Sequence, residues 1–305
     1  MVDEGLKDLT GESSVGAAWQ SLLPDYAAGK AIAIKVNFNN AWCDDGDNVI
    51  DALVEPVNAL VRGMKELGVQ ESDVWVYDAL RPLPDRFRNR CLYPGVHFFD
   101  AACTQRATFH SSDAHADVDF THPSLTARRI TDVIIDATYL INMPIMKDHV
   151  ISKVTLGFKN HFGTIDRIVS SGDDNLHHFI DPGNGLYTSS SNPMVDICAN
   201  PHIRDKTVLV VGDGLYGALG NTNTEPERWS TFGDDAPNSL FLAVDPVAID
   251  CVMFDILDAE PVYHPRSGGA EEYLVLAADA GLGVFERGDP WGSGYDQIDY
   301  RKIEL

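Results

Sequence analysis

The feature that most constrains this chain is a strand–helix–strand run between residues 30 and 79. KAIAIKVNFNN (30–40) is apolar and β-branched and ends in asparagines, which predicts a strand. VIDALVEPVNALVRGMKEL (49–67) carries apolar residues at helical spacing, and Gly68 is placed to stop the helix. VWVYDA (74–79) predicts a second strand. Two strands joined through a helix make a βαβ unit, and that unit implies a parallel sheet.

Later segments extend the pattern. YLINMP (139–144), KTVLVV (206–211) and SLFLAV (239–244) predict further strands, and Pro246 opens a helix after the last of them. The expected fold class is α/β, with a central, mostly parallel sheet and helices on both faces. Strands 31–37, 74–78, 138–142, 207–211 and 240–244 should share one sheet. Elsewhere, 12–28 predicts a helix around Trp19, Leu22 and Leu23. HSSDAHADVDF (110–120) predicts an exposed strand or hairpin, and KVTLGFKNHFG (153–163) a short helix capped by Gly163. The stretch 164–205 is rich in Ser, Gly, Asn and Asp and predicts a long functional or disordered loop. Residues 260–305 form a C-terminal extension with one more helix. With no internal repeat or linker, 1–305 reads as a single α/β domain.

Composition narrows the function. The 305 residues hold 23 Lys plus Arg against 46 Asp plus Glu, a formal charge of −23. Such a surface repels phosphate backbones, so nucleic acid is not an expected partner. No apolar run reaches the roughly 18–20 residues that span a bilayer, so no transmembrane segment is expected. None of the five cysteines (Cys43, Cys91, Cys103, Cys198, Cys251) sits in a C-x-x-C pair. No iron–sulfur cluster or zinc ribbon is therefore expected, while one disulfide remains open. MVDEGLKDLTGESS has neither a basic start nor an apolar core, as in a cytosolic protein or a processed form of a longer one.

The segment NMPIMKDHVISKVTLGFKNHFG (142–163) is the densest in chemistry. It leaves the carboxyl end of a predicted strand, where ligands of open α/β sheets bind. It gathers Asn142, Lys147, His149, Thr155, Lys159, Asn160 and His161. If 154–162 is helical, Thr155 and Lys159 share a face. Lysines grouped in an acidic chain suit a carboxylate or phosphate, or supply a desolvated base. GDGLYG (212–217) departs from G-x-G-x-x-G and predicts a tight turn that presents Asp213 at the sheet edge. DDGDN (44–48) departs from the calcium-loop order and predicts a plain polar turn. Adjacent His177 and His178 point in different directions on most backbones and are poor joint metal ligands.

INMPIMKDHVISKVTLGFKNHFGTID resembles the core motif of the domain-of-unknown-function 362 family, N-x-P-x-x-K-x-H followed by T-x-x-x-K-N-x-x-G. Lys147, His149, Thr155, Lys159, Asn160 and Gly163 fall on those positions. AIKVNFNN (33–40), LVVGDGLYG (209–217) and SLFLAVDPVAIDCVMFDIL (239–257) are similar to the family as well. The clustered cysteines of some members are absent. The opening LKDLTGESSVGAAWQSLLPDY resembles exported members, which implies a periplasmic or extracellular location. A more distant likeness, to the nickel-pincer lactate racemase group, points toward small hydroxy acids.

These readings converge on one expectation. Lys147, His149, Lys159 and Asn160 form a catalytic set at a cleft near the Asp213–Gly214 turn, with Asn142, Thr155, Asp213 and Gly214 as ligand-binding residues. Lys147 and Lys159 would fix a small anionic ligand. His149 would serve as general acid–base or metal ligand, and Asn160 would orient the anion. The metal, if one is used, is unknown from sequence. The competing expectations are a non-catalytic metal- or ligand-binding protein and a structural component of an extracellular assembly.

Overall fold

The computed structural model describes residues 1–39, 41–46, 49–219 and 225–305. Asn40 of the expected first strand, and Asp47 and Asn48 of the expected polar turn, lie outside the described residues.

The chain opens with helices α1 (Val2–Thr10) and α2 (Val15–Leu22). Strand β1 (Ile32–Lys35), helix α3 (Val54–Glu66) and strand β2 (Val74–Tyr77) follow as the expected βαβ unit. Next come α4 (Asp85–Arg88), β3 (His97–Asp100), β4 (Gln105–Arg106), β5 (Asp117–Val118) and β6 (Arg128–Arg129). The central part holds α5 (Asp132–Asp136), β7 (Tyr139–Asn142), β8 (Lys147–His149), β9 (Lys153–Thr155) and α6 (Gly157–Asn160). The last part holds α7 (Pro193–Ala199), α8 (Pro201–Arg204), β10 (Thr207–Gly214), β11 (Ser239–Ala243), α9 (Pro246–Ala259) and α10 (Glu272–Asp279).

Seven strands form one sheet in the order β11-β10-β7-β1-β2-β3-β4. All neighbours are parallel except β10 and β11. The five expected strands all lie in it. β1, β2 and β7 are buried along nearly their whole length, as strands covered on both faces must be. On one face, Trp19, Leu60 and Met64 of α2 and α3 pack against Ile32, Ile34, Val76 and Ile141. On the other, Ile134, Ile197, Phe254 and Tyr273 from α5, α7, α9 and α10 pack with Ala33, Leu140 and Val210. Alternate residues of one strand therefore feed two separate cores. From β1 the chain winds outward through β2 to β3 and β4, then returns on the far side of β1 as β7 and β10. The strand order reverses between β1 and β7, which opens a crevice at their carboxyl ends.

Several boundaries differ from expectation. The helix expected from 49 begins at Val54, because 49–53 first runs back past β1, where Ala52 N–H donates to the Asn37 carbonyl at 2.9 Å. Pro56 then falls in the first helical turn, where its missing N–H costs nothing. The helix expected at 153–163 is instead three elements. Lys153–Thr155 pairs with Lys147–His149 as an antiparallel hairpin, α6 follows, and His161–Thr164 is a 3-10 turn. The expected turn at 212–217 is also corrected: β10 runs through Gly214 because β11 pairs with it from Val210 to Gly214. The stretch 164–205 is not one loop, since it holds a 3-10 turn at Leu176–Phe179 as well as α7 and α8.

Candidate functional site

A cavity of about 200 Å³ lies at the carboxyl ends of β1, β2 and β7. Each of these strands ends on a polar or aromatic residue in register with its neighbour: Lys35 opposite Tyr77 on one side and Asn142 on the other. The segment after β1 contributes Asn37, Phe38 and Asn39 to the cavity wall, and the segment after β2 contributes Asp78, Leu80 and Arg81. The β8–β9 hairpin and α6 supply Lys147, His149, Thr155, Lys159 and Asn160, and His177 arrives from the 3-10 turn.

The floor is a hydrogen-bonded network around Asn160. Its Oδ1 accepts from Lys35 Nζ at 3.1 Å and from Asn37 Nδ2 at 3.2 Å. Its Nδ2 donates to the Lys35 carbonyl at 3.3 Å and to Asn142 Oδ1 at 2.7 Å. An amide has two donor hydrogens and two acceptor lone pairs, so Asn160 is fully used. Asn142 in turn donates to the Gly157 carbonyl at 3.0 Å. Lys35 is fully buried and pairs with Asp78 at 3.1 Å. Burial pushes its ammonium below the ordinary lysine value, with Asp78 opposing. Gly163 lets these groups meet, since a Cβ there would lie 2.6 Å from both Asp78 Oδ1 and Lys35 Nζ. Asn160 and Asn142 therefore hold the site's frame, and Asn160 also lines the cavity.

The helix carrying Lys159 is anchored from below. Asp250 of α9 is fully buried and accepts the Gly157 and Phe158 N–H groups at 2.7 and 3.1 Å. Burial raises its carboxyl to about 7, against the pull of those two amides and of Tyr273. The Tyr273 hydroxyl donates to the same carboxylate at 3.2 Å.

His149 closes the hairpin that carries it. Its Nδ1 accepts the N–H groups of Ile151 and Ser152 at 3.1 and 3.2 Å, which closes the β8–β9 turn. A neutral imidazole that accepts at Nδ1 carries its proton on Nε2. Burial first, then the charges of Lys159 and its neighbours, pushes the ring down to about 2. With Nδ1 engaged in the turn, Nε2 is the ring nitrogen left to face the cavity. Its ring stacks near that of His177, with centroids 5.9 Å apart.

The cations above this floor are unequal. Lys147 is buried and driven to about 8 by desolvation, with Asp148 and Asp51 offsetting part of the shift. Asp51 pairs with Arg86 at 2.7 Å, and burial raises it to about 6. Lys159 is half-buried, and desolvation, then Lys147 and Arg81, drives it to about 7. Its amine lies 3.8 Å from the centre of the Phe162 ring and 3.4 Å from His177 Nε2. His177 is itself lowered to about 3, by burial and then Lys159. The half-buried Arg81 guanidinium has no carboxylate partner among the described residues.

Asp213 and Gly214 do not join this cavity. Asp213 lines a second one, about 480 Å³, with Leu53, Ile145 and Tyr216. The reason is the strand: β10 continues through 214, so Asp213 sits within the sheet and its carboxylate turns to the Leu215 N–H at 3.1 Å. Its backbone still matters. Asp213 N–H donates to the Pro144 carbonyl and Met146 N–H to the Asp213 carbonyl, both at 2.8 Å, and these bonds hold the segment that leads into Lys147.

Sequence reading missed Lys35, Asp78 and Arg81, and it weighed His177 only as a metal ligand beside His178. A lysine inside an otherwise apolar strand, and an aspartate directly after the next one, were the available signals for the first two. The place of His177 in the cavity left no mark in the sequence, because it lies 18 residues from Lys159 and only the folded 3-10 turn brings the two together. Cys43 and Cys103 form a disulfide that joins the segment after β1 to the one after β3. Cys198 and Cys251 are free and buried, and Cys91 is free and half-buried. Among the described residues, no three His, Cys, Asp or Glu side chains gather as a metal-holding group. No helix among them is long and apolar enough to cross a membrane.

No curated protein matches the chain. The more distant likeness to the nickel-pincer lactate racemase group finds no support in the comparisons. One family model does match, described as a domain of unknown function (DUF362), and it covers residues 32–255, the whole of the sheet and every residue of the cavity floor. The chain belongs to the DUF362 family.

Proposed function

We propose that the cavity binds a small anionic ligand, held by Arg81, Lys147 and Lys159. One observation carries this reading. Arg81 and Lys159 line a common cavity with no carboxylate partner among the described residues, in a chain whose formal charge is −23. The acidic group nearest to them, Asp78, is already paired with Lys35 and offsets only part of their charge. Grouped cations that repel one another and lose solvation are tolerated where a bound anion completes the charge balance. The cavity is smaller than the roughly 300–1,000 Å³ typical of sites for drug-sized ligands, so the anion is a small one. Phe38, Leu80, Phe162 and Ile168 give it an apolar wall, which favours a carboxylate on a short carbon chain over a bare inorganic ion.

The Cys43–Cys103 bridge supports a working location in an oxidising compartment, since such bonds persist outside the reducing cytosol. That agrees with the exported location implied by the opening of the chain.

Titration calorimetry with acetate, lactate, succinate and phosphate tests the binding reading. At least one carboxylate should bind, and Arg81→Ala should weaken it by at least about tenfold, the factor that about 1.4 kcal/mol represents. Equal or absent binding in both proteins would overturn it.

A further inference from the structure

Lys159 differs from the other cations of the cavity in what surrounds it. Lys35 is tied to Asp78, and Lys147 lies within reach of the charges of Asp51 and Asp148. The Lys159 amine faces an aromatic ring and a neutral imidazole instead. Lys147, Arg81 and Lys35 act on it with like charge, and Asp78 offsets a smaller part. A lysine that is desolvated, or that sits beside other cations, gives up its proton readily, and the free amine is the nucleophile that carbonyl compounds accept. Arg81 cannot follow it, because a guanidinium stays charged throughout the working pH range. The cavity therefore keeps an anchor for a carboxylate while it offers a neutral amine.

We propose that Lys159 condenses with the carbonyl carbon of a small 2-oxo acid, whose carboxylate is held by Arg81 and Lys147. This rests on the anion-binding reading above and names its ligand class. The Lys159 lone pair adds to the carbonyl carbon, and the C=O π pair moves to oxygen, which takes up a proton. The proton that the oxygen takes up is the one the nitrogen sheds, with His177 Nε2, 3.4 Å away, placed to relay it. The hydroxyl then leaves as water with the second nitrogen proton, and the C=N bond forms. Nothing is oxidised or reduced, and one water is released. Phe162 covers the amine and limits access of bulk water to it. His149, with its proton on Nε2, adds a neutral donor to the wall for the developing oxygen charge.

Reductive trapping tests the proposal on the full chain. The protein is incubated with pyruvate and sodium cyanoborohydride, digested, and mapped by mass spectrometry. Lys159 should carry the adduct at least tenfold above any other lysine, and lactate should compete. Lys159→Arg should remove that adduct, and Arg81→Ala should slow its formation while the amine remains. Labelling spread evenly over exposed lysines, or none at Lys159, would overturn the imine. Calorimetry with lactate, which has the carboxylate without the carbonyl, separates the two readings. Lactate binding that depends on Arg81, without a Lys159 adduct, defeats the imine and leaves the anion site standing. Neither lactate binding nor pyruvate trapping defeats both.

Discussion

Lys35 Nζ and Asn160 Oδ1 meet at 3.1 Å, joining the end of β1 to the end of α6 across 125 residues of chain. Through this contact the cavity floor becomes part of the sheet. Asn160→Ala would strand the Lys35 and Asn142 groups that it now satisfies. Each buried polar group left unpaired costs about 1–3 kcal/mol. Urea unfolding should show a midpoint lowered accordingly, and an unchanged midpoint would mean that water replaces the amide without loss.

Gly163→Ala should be as damaging although it adds only a methyl group. The Cβ would press on both members of the buried Lys35–Asp78 pair, which have no open space to move into. Overpacking of this kind costs about 1–3 kcal/mol. Thermal unfolding of the variant, set beside a control at the open Gly46, checks that the loss is local to the pair.

The histidine of the hairpin gives a prediction of a different type. His149→Ala should loosen the β8–β9 turn, because the Ile151 and Ser152 N–H groups lose their acceptor. His149→Asn should recover most of the order, since its side-chain oxygen can also accept from following N–H groups. Amide hydrogen exchange at 150–153 is the readout. Equal protection in the wild type and both variants would remove His149 from the turn's support.

Ligand affinity should depend on pH with a definite sign. An anion prefers the protonated lysines, so binding takes up protons wherever the free lysines have lost them. Affinity should therefore be highest below about 7 and fall as pH rises through the Lys159 value of about 7 and the Lys147 value of about 8. Each lysine contributes at most about a tenfold loss per pH unit, and Arg81 sets a floor. Trapping at Lys159 should run the other way, rising over the same interval, because it needs the free amine. Calorimetry and trapping at matched pH values compare the two slopes.

The disulfide makes a stability prediction. Cys43 and Cys103 are 60 residues apart, and closing a loop of that size stabilises by about 3–5 kcal/mol through the unfolded chain. The bonded segment carries Asn37 and Asn39 of the cavity wall, so reduction should weaken ligand binding as well as stability. Unfolding and binding with and without dithiothreitol measure both.

Most of the sheet was legible in the sequence, because strands buried on both faces must be continuously apolar, and β1, β2, β7 and β10 have few polar interruptions. The segment 142–163 was legible for a related reason: it concentrates polar side chains directly after such a strand, where the sheet leaves a crevice. Lys147, His149, Thr155, Lys159 and Asn160 do line one cavity. Their division of labour was not readable. Whether Asn160 contacts a ligand or completes a frame depends on Lys35, Asn37 and Asn142, which approach it only in the folded state. Whether His149 is a base or a donor depends on two backbone N–H groups, and backbone direction leaves no mark on residue type. Asp213 was misplaced because strand pairing with β11, a contact between distant segments, outweighs the local turn preference of two glycines. Residue order alone determined the alternation that builds the sheet. Only tertiary packing decided which cations would be paired and which would face the cavity, because that choice is made by desolvation and by neighbours that the chain brings together last.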